Sequence, residues 1–501
     1  MNSAVMSGCV LLAGALVAVE AAVVDLVPQL AKEPYVLKAE PNAFAGNPDY
    51  KSATYPVSLD GFVDHGEQGA VVMRVRATDD DTHAVEIGFH QADGKTWGST
   101  GLSIRREWSD VLLPIVEMSP FRHWKGHPAV LPDELPNVGA FRCMHISFGK
   151  WLCSDTLKSA HGFEIASIKY VKLPPECLEP PRDRSLDEFT RLEGETDDTP
   201  RFERAIRACR GSVLAVPRGR YEISSTLYVD NGCSFDLNKS ATLVAVKPMS
   251  YVMEIVCRND RRNPDDFNRF FRGGRIDAMG LASCVRVSGF PHFTMKDALF
   301  LNGKVCGLRV DGGYEMIANN LYFKCVIPGL AGNSAMYING GDSHYTDCVV
   351  VDYTIGVNEV RGGANRFTRC HVWGGPLPPA KPGEEREMLK DSVNFRICGG
   401  GTILRDCYAD TGKTGFEING WETSLLGCAY FNNKGFGLDG ITIIRQPKGG
   451  RMLVSECRFC KNMPHTKVYE GNGSVEWRNM VYSGFGAQDD CPAALQFRKN
   501  P

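Results

Sequence analysis

The stretch 347-DCVVVDYTIGVNEVRGGANRFTRC-370 begins and ends on the same phrase, a polar residue followed by cysteine, one glycine-punctuated lap apart. In register with it, the C-terminal half reads FKC (Cys325), TDC (Cys348), TRC (Cys370), RDC (Cys407), LGC (Cys428) and SEC (Cys457), in steps of 23, 22, 37, 21 and 29 residues. The two long steps contain the insertions PLPPAKPGEEREMLKDS and RQPKGG. Ahead of each of the first five cysteines runs a short apolar strand that closes on glycine: GLRVDGG, AMYINGG, GVNEVRGG, NFRICGG, GFEINGW. A period near 22 residues with short strands and no helical spacing predicts a right-handed parallel β-helix, each lap one rung. Equivalent residues then stack about 4.8 Å apart. The recurring cysteine becomes an interior file of small polarisable side chains. Neighbouring Cβ atoms in such a file sit a full rung apart, whereas a disulfide wants about 3.8 Å, so free buried thiols are expected.

Composition sets the outer limits. The chain has 501 residues, 43% hydrophobic and 23% charged, with a net charge of -3, which describes a folded protein with no basic field for nucleic acid. The opening run 4-AVMSGCVLLAGALVAVEA-21 ends in small residues and is expected to be a signal peptide over 1–22. No later segment is apolar enough to span a membrane, so the mature chain is expected to be secreted, periplasmic or on the cell surface.

Residues 23–175 have a different texture. Alternating strands such as AVVMRVRA, AVEIGFHQ and GFEIASIKYV are separated by polar turns and lack the 22-residue period, which predicts an antiparallel β-sandwich. Cys143 and Cys153 are spaced to pair across a hairpin, and Asp79 to Asp81 form either a solvated turn or a calcium loop. A linker over 176–196, rich in proline and charge at its start, precedes the β-helix of 197–490, and 491–501 form a tail.

The solenoid's start, 197-DDTPRFERAIRACRGSVLAVPRGRYEISSTLYVDNGCSFDLNKSATLVAV-246, resembles the entry segment of the pectate-lyase superfamily. In that segment Asp198, Thr199 and Pro200 open a short amphipathic helix, with Ala205, Ile206 and Cys209 as its apolar stripe. Gly219 to Tyr221 then turn the chain into the first rung. The first domain is similar to jelly-roll carbohydrate-binding modules, with Trp97, Trp108, Trp124 and Trp151 as candidate sugar platforms. The resemblance implies a β-helix acting on carbohydrate, in a superfamily that spans glycoside hydrolases, polysaccharide lyases, transferases, epimerases and tailspikes. The superfamily's pectin-hydrolase and pectate-lyase site phrases are missing here. Solenoids of this kind also associate as side-by-side trimers, but no heptad or exposed apolar file marks this chain for it.

Aligned on their terminal glycines, the strands give an outward column of Arg309, Tyr337, Glu359, Arg396 and Glu417, and a second of Asp311, Asn339, Arg361, Cys398 and Asn419. Two carboxylates two rungs apart stand roughly 9.6 Å from one another. That is the upper edge of the separation for inverting glycoside hydrolysis. Glu359 and Glu417 are therefore candidate catalytic residues, with Asp352, Asp410 and His344 at the strand edges and Arg361 to hold an acidic substituent. Arg309, Tyr337, Arg396, Asn419, Trp373 and Trp421 are candidate substrate contacts. A bland reading, an exposed ion ladder that fixes register, stands beside this one.

The expected activity is cleavage of glycosidic bonds in a polysaccharide, by hydrolysis or elimination; the alternative is a non-catalytic, adhesin-like glycan binder. No metal or cofactor is expected, calcium only if the enzyme is a lyase.

Overall fold

The structure is a computed structural model. It describes residues 24–25, 35–39, 53–57, 63–79, 82, 84–120, 134–147, 161–173, 182–230, 232–257, 269–289, 292–327, 330, 332–374, 391–432, 440–461 and 463–485. The expected signal segment, Trp124, Trp151, Cys153, most of the longer insertion and the tail lie outside these residues.

The chain divides into two units. One spans 1–181 together with 258–266, the other 182–257 together with 267–501. The first unit contains two five-stranded antiparallel sheets. Inward residues of both sheets, among them Met73, Val75, Ile87, Phe89, Met144 and Ile165, join one buried cluster. Trp97 belongs to that cluster and is fully buried, so it is a core residue and not a platform. Trp108 lies beneath the Arg76 guanidinium at 4.8 Å. Cys143 is a free thiol. Asp79 closes its turn by accepting from Thr82 Oγ1 and the Gly162 amide at 2.7 Å each, while Asp80 and Asp81 lie outside the described residues.

The second unit is a parallel β-helix. A ten-stranded parallel sheet of longer strands forms one side, including Tyr251–Cys257, Ser283–Gly289, Cys306–Tyr314, Ser334–Gly341, Ile355–Arg361, Val393–Ile397 and Thr414–Ile418. The remaining wall is built of three-residue strands in two stacks, such as His344–Thr346 then Val349–Val351, and Arg366–Thr368 then His371–Trp373. Pairing is parallel and in register from lap to lap, as in Tyr345↔Phe367 and Val350↔Val372. Aromatic files fill the interior, with Tyr345 stacked on Phe367 at 4.9 Å and Phe395 on Phe416 at 5.4 Å.

The quoted phrase is the corner between the two short strands. Asp297, Asn320, Asp347, Arg369, Asp406, Gly427, Glu456 and Asn479 occupy it in successive laps, each with φ between 48° and 65°. Left-handed backbone suits Gly, Asn and Asp, and six of the eight are of those types. The next residue turns inward, and its successor's amide donates to the carbonyl of the residue stacked below, as in His371→Cys348, Tyr408→Cys370, Ala429→Cys407 and Arg458→Cys428. Five buried free cysteines thus form one file: Cys348, Cys370, Cys407, Cys428 and Cys457. From Cys370 on, each thiol donates to a carbonyl of the lap below, on Tyr345, Phe367, Leu404 and Leu425, at 3.4 Å in every case. That repeated sulfur–oxygen contact explains a thiol where a methyl group would also fit.

Cys325 does not belong to this file. It follows the strand Tyr322–Lys324, whereas the file position in that lap is Leu321, whose carbonyl takes the Val349 amide. The phrase FKC is strand plus exit, and TDC is corner, so matching them by the cysteine shifts one lap by four residues. Lys324 moves with it, out of the corner file and onto the third-strand stack, paired with Val351. The corner file itself is a solvated ladder, where Arg369 makes two contacts to Asp347 at 2.6 and 2.7 Å.

The solenoid begins earlier than its entry helix, since Arg184–Ser185 pairs with Leu214–Ala215. The helix Thr199–Ala208 buries Phe202, Ala205 and Ile206. Asp198 stands at its N-cap without a side-chain cap bond. Its carboxylate is held by Arg191 at 2.7 Å and the Glu222 amide at 3.0 Å, and Asp197 caps the Thr199 amide at 2.8 Å instead.

Candidate functional site

The outward side of the long-strand sheet is where charged side chains converge. Register places Glu254, Arg286, Arg309, Tyr337, Asn358, Arg396, Glu417 and Arg445 in one file. Asp311, Asn339 and Arg361 form the file beside it.

Its lower part is a closed ion cluster. Glu254, Arg286 and Asp311 are at most 1% exposed. Arg286 reaches Asp311 at 2.7 Å and Glu254 at 2.5 Å, Arg309 reaches Asp311 at 2.8 Å, and Asn339 donates to its other oxygen at 3.3 Å. Burial penalises the Asp311 carboxylate, but the guanidiniums of Arg309 and Arg286 outweigh it and hold its pKa down at about 2. A carboxylate held ionised in this way cannot serve as a proton donor. Above the cluster, Arg309 lies over the Tyr337 ring at 4.7 Å.

The upper part is open. Glu417 accepts from Arg396 at 2.7 Å and from Asn419 at 3.1 Å, with Arg445 at 3.9 Å. Arg361 and Arg445 are exposed. Between Tyr337 and Arg445 the two files therefore present three guanidiniums against one carboxylate, and that carboxylate is already neutralised.

Glu359 is not on this face. The strand Ile355–Arg361 carries a register shift between Ile338 and Asn339, so that Asn358 aligns with Tyr337 and Glu359 with Ile338 and Ile397. A one-residue bulge sends the side chain to the opposite face of the sheet. Glu359 is 0% exposed, and its carboxyl accepts from Asn365 Nδ2 at 2.5 Å, Thr402 Oγ1 at 2.8 Å and the Gly399 amide at 2.9 Å. Burial raises its pKa against the lowering effect of these donors. Three donors from two laps make it a staple inside the glycine corner. Backbones pack tightly at that corner: a Cβ on Gly362 would lie 1.9 Å from the Gly340 oxygen, and one on Gly420 2.0 Å from that of Gly399.

The other candidates are dispersed. His344 stands at the edge of the second-strand stack, paired with Arg366. Asp352 occupies the left-handed corner after Val349–Val351, φ 63°, with its amide on the Trp373 carbonyl at 3.1 Å. Trp421 projects from the glycine corner, 64% exposed. Asp410 and Trp373 lie side by side on the third-strand stack. The long-strand face thus assembles Arg309, Tyr337, Arg361, Arg396, Glu417 and Asn419, and leaves Glu359, His344, Asp352, Asp410, Trp373 and Trp421 elsewhere. Sequence reasoning missed Asn358, Arg286 and Arg445 on that face. Arg286 and Arg445 were within reach of the same strand alignment, extended one lap in each direction. Asn358 was hidden by the bulge. Among the described residues no group of three or more His, Cys, Asp or Glu is arranged to hold a metal ion.

No protein family matches the chain, and no curated protein matches its sequence. Solved structures do resemble it. An endo-xylogalacturonan hydrolase from Aspergillus tubingensis aligns at 11% identity over 60% of this chain and 93% of its own, with a TM-score of 0.43. The A-module of a mannuronan C-5 epimerase from Azotobacter vinelandii aligns at 11% over 60% and 96%, TM-score 0.42. A tailspike of the Escherichia coli bacteriophage HK620, solved with a pentasaccharide, aligns at 10% over 63% and 68%, TM-score 0.40. None of the three assigns a role to a residue of this chain. Among the described residues no helix is long and apolar enough to cross a membrane.

Proposed function

We propose that this protein is a carbohydrate-active β-helix that holds an acidic polysaccharide along the long-strand face. The observation that carries the reading is the excess of guanidinium there, with Arg361, Arg396 and Arg445 set against a Glu417 that is already paired. Arginine's planar fork suits uronate carboxylates and sulfates, and Tyr337, Asn358 and Asn419 supply an aromatic surface and amides beside it. Export, argued from the apolar N-terminal run, would bring such a face to extracellular polysaccharide.

Bond cleavage on this face is best supported as elimination. Two-carboxylate hydrolysis needs a proton donor and a second carboxylate roughly 6.5–9.5 Å apart. The described carboxylates in these files from Glu254 to Arg445 are buried or ion-paired: Glu254, Asp311 and Glu417. Elimination needs a cation on the uronate carboxylate and one base for the C5 proton. The guanidiniums of Arg361 and Arg445 offer the first and the Glu417 carboxylate the second, while solvent protonates the departing sugar oxygen as the C4–O bond breaks. The second reading, glycan binding without cleavage, is favoured by the same pairing of every one of those carboxylates. Incubating the full chain with polygalacturonate, alginate and chondroitin sulfate separates the outcomes. Binding with ultraviolet absorbance of an unsaturated uronide supports elimination, and new reducing ends without that absorbance mean hydrolysis. Binding with neither means recognition alone. Failure to bind any of the three would overturn the proposal.

A further inference from the structure

The third-strand stack has an outward face that the acidic-glycan reading does not use. Over the laps of His371–Trp373, Tyr408–Asp410 and Ala429–Phe431, register pairs His371 with Tyr408 and Trp373 with Asp410, then Tyr408 with Ala429 and Asp410 with Phe431. Those six residues are the outward positions of the third-strand stack in three consecutive rungs, and four carry aromatic rings. The His371 and Tyr408 rings stack at 4.7 Å with planes 14° apart. Phe431 is 37% exposed and the His371 side chain 39%. Asp410 sits among the rings, with Oδ2 3.4 Å from His371 Nε2 and Oδ1 2.5 Å from the Thr411 hydroxyl.

Cross-strand aromatic pairs do stabilise a sheet, by roughly 0.2–1 kcal/mol each. Register alone does not call for aromatics left open to solvent, because the inward files of this solenoid already supply buried stacks. Half-exposed rings around one hydrogen-bonding carboxylate, with no guanidinium or ammonium among the six side chains, match the apolar faces and hydroxyl rims of an uncharged sugar. An anionic glycan would meet Asp410. A protein partner would be expected to find arginine anchors on such a surface, and the six residues include none.

We propose that this face is a second carbohydrate site, specific for neutral sugar residues, with His371, Trp373, Tyr408 and Phe431 as stacking platforms and Asp410 as the acceptor for sugar hydroxyls. The Tyr408 hydroxyl, whose pKa burial pushes up to about 12, stays protonated and can donate to a sugar oxygen at neutral pH. The two faces would then read different parts of a mixed polysaccharide, acidic backbone on one side and neutral branches on the other.

The test uses affinity electrophoresis of the full chain on gels containing xyloglucan, arabinoxylan or mixed-linkage glucan, and in parallel on polygalacturonate. Retardation by at least one neutral glycan is expected, and Tyr408→Ala and Phe431→Ala should each weaken it roughly tenfold, as truncating an aromatic anchor does. Both variants should remain folded, with thermal unfolding lowered by no more than the loss of a cross-strand pair, and should keep the parent's retardation by polygalacturonate, while Arg396→Ala should spare the neutral glycan. Tyr408→Phe, which keeps the ring, should retain most of the affinity. No retardation of the parent by any neutral glycan would overturn the proposal, and so would unchanged neutral binding in both alanine variants.

Discussion

Replacing Glu359 asks directly whether it is a staple or a surface acid. In Glu359→Ala, Asn365 Nδ2 keeps its bond to the Gly340 carbonyl at 2.9 Å, but the Gly399 amide and the Thr402 hydroxyl lose the carboxyl acceptor they share. Each buried donor left unmade costs about 1–3 kcal/mol. Relief of the desolvation that raises the carboxyl's pKa offsets part of the sum, leaving a net loss of roughly 2–4 kcal/mol. Glu359→Gln keeps one acceptor and sets its amide against one donor, for a loss of roughly 1–2 kcal/mol. The pH dependence follows from the raised pKa. The folded state binds its proton more tightly than the unfolded chain, so Glu359 favours folding most at low pH. Its contribution then falls as pH rises from the ordinary value near 4.5 through the folded value. Relative to Glu359→Gln, wild type should therefore lose stability across that window. Urea unfolding of the full chain, followed by circular dichroism at several pH values with m held constant, reads all three numbers. A loss below about 0.5 kcal/mol in Glu359→Ala is what an exposed site gives, and would refute the register argued here.

Three further outcomes follow from the same geometry. Asp311, held down from 3.8 to about 2, stabilises the fold above its unfolded pKa and loses that contribution as pH falls from about 4 to about 2. Asp311→Asn should flatten that acid limb and cost roughly 3–5 kcal/mol at neutral pH by leaving Arg286 and Arg309 short of a counter-charge, as acid titrations of both proteins would show. Glu417→Gln should cost about 1–3 kcal/mol of stability, since Glu417 is only 8% exposed and holds Arg396 and Asn419, yet tighten acidic-glycan binding, because it frees Arg396 and Arg445; weaker binding in a titration would contradict this. The file from Cys348 to Cys457 should resist a thiol reagent in the native protein and react only in denaturant, because the thiols are buried; peptide mapping after labelling reads each position.

The repeat made most of the architecture legible. A residue in left-handed backbone followed by an inward side chain is a local necessity of a tight two-residue corner, and that side chain is cysteine in five of the eight corners, often enough to mark the laps in the sequence. The same marker failed at Cys325, where a strand end imitates a corner, because a cysteine alone does not encode backbone conformation. Glu359 failed for a different reason. Counting back from the glycines assumes strict alternation, and the bulge after Ile338 adds one residue and inverts the strand. The outward residues from Arg309 to Tyr337 and from Arg396 to Glu417 were readable because no bulge separates them from their neighbours' register. The aromatic face around Tyr408 went unseen because it takes one or two residues from each of three short strands, and no single strand holds enough of it to stand out.

The most direct measurement is calorimetric titration of the full chain with an acidic oligosaccharide of defined length, alongside a variant carrying Arg361→Ala and Arg396→Ala. The account predicts binding that weakens as salt rises and is reduced at least tenfold in the variant. Affinity that is indifferent to both salt and these two arginines would contradict it.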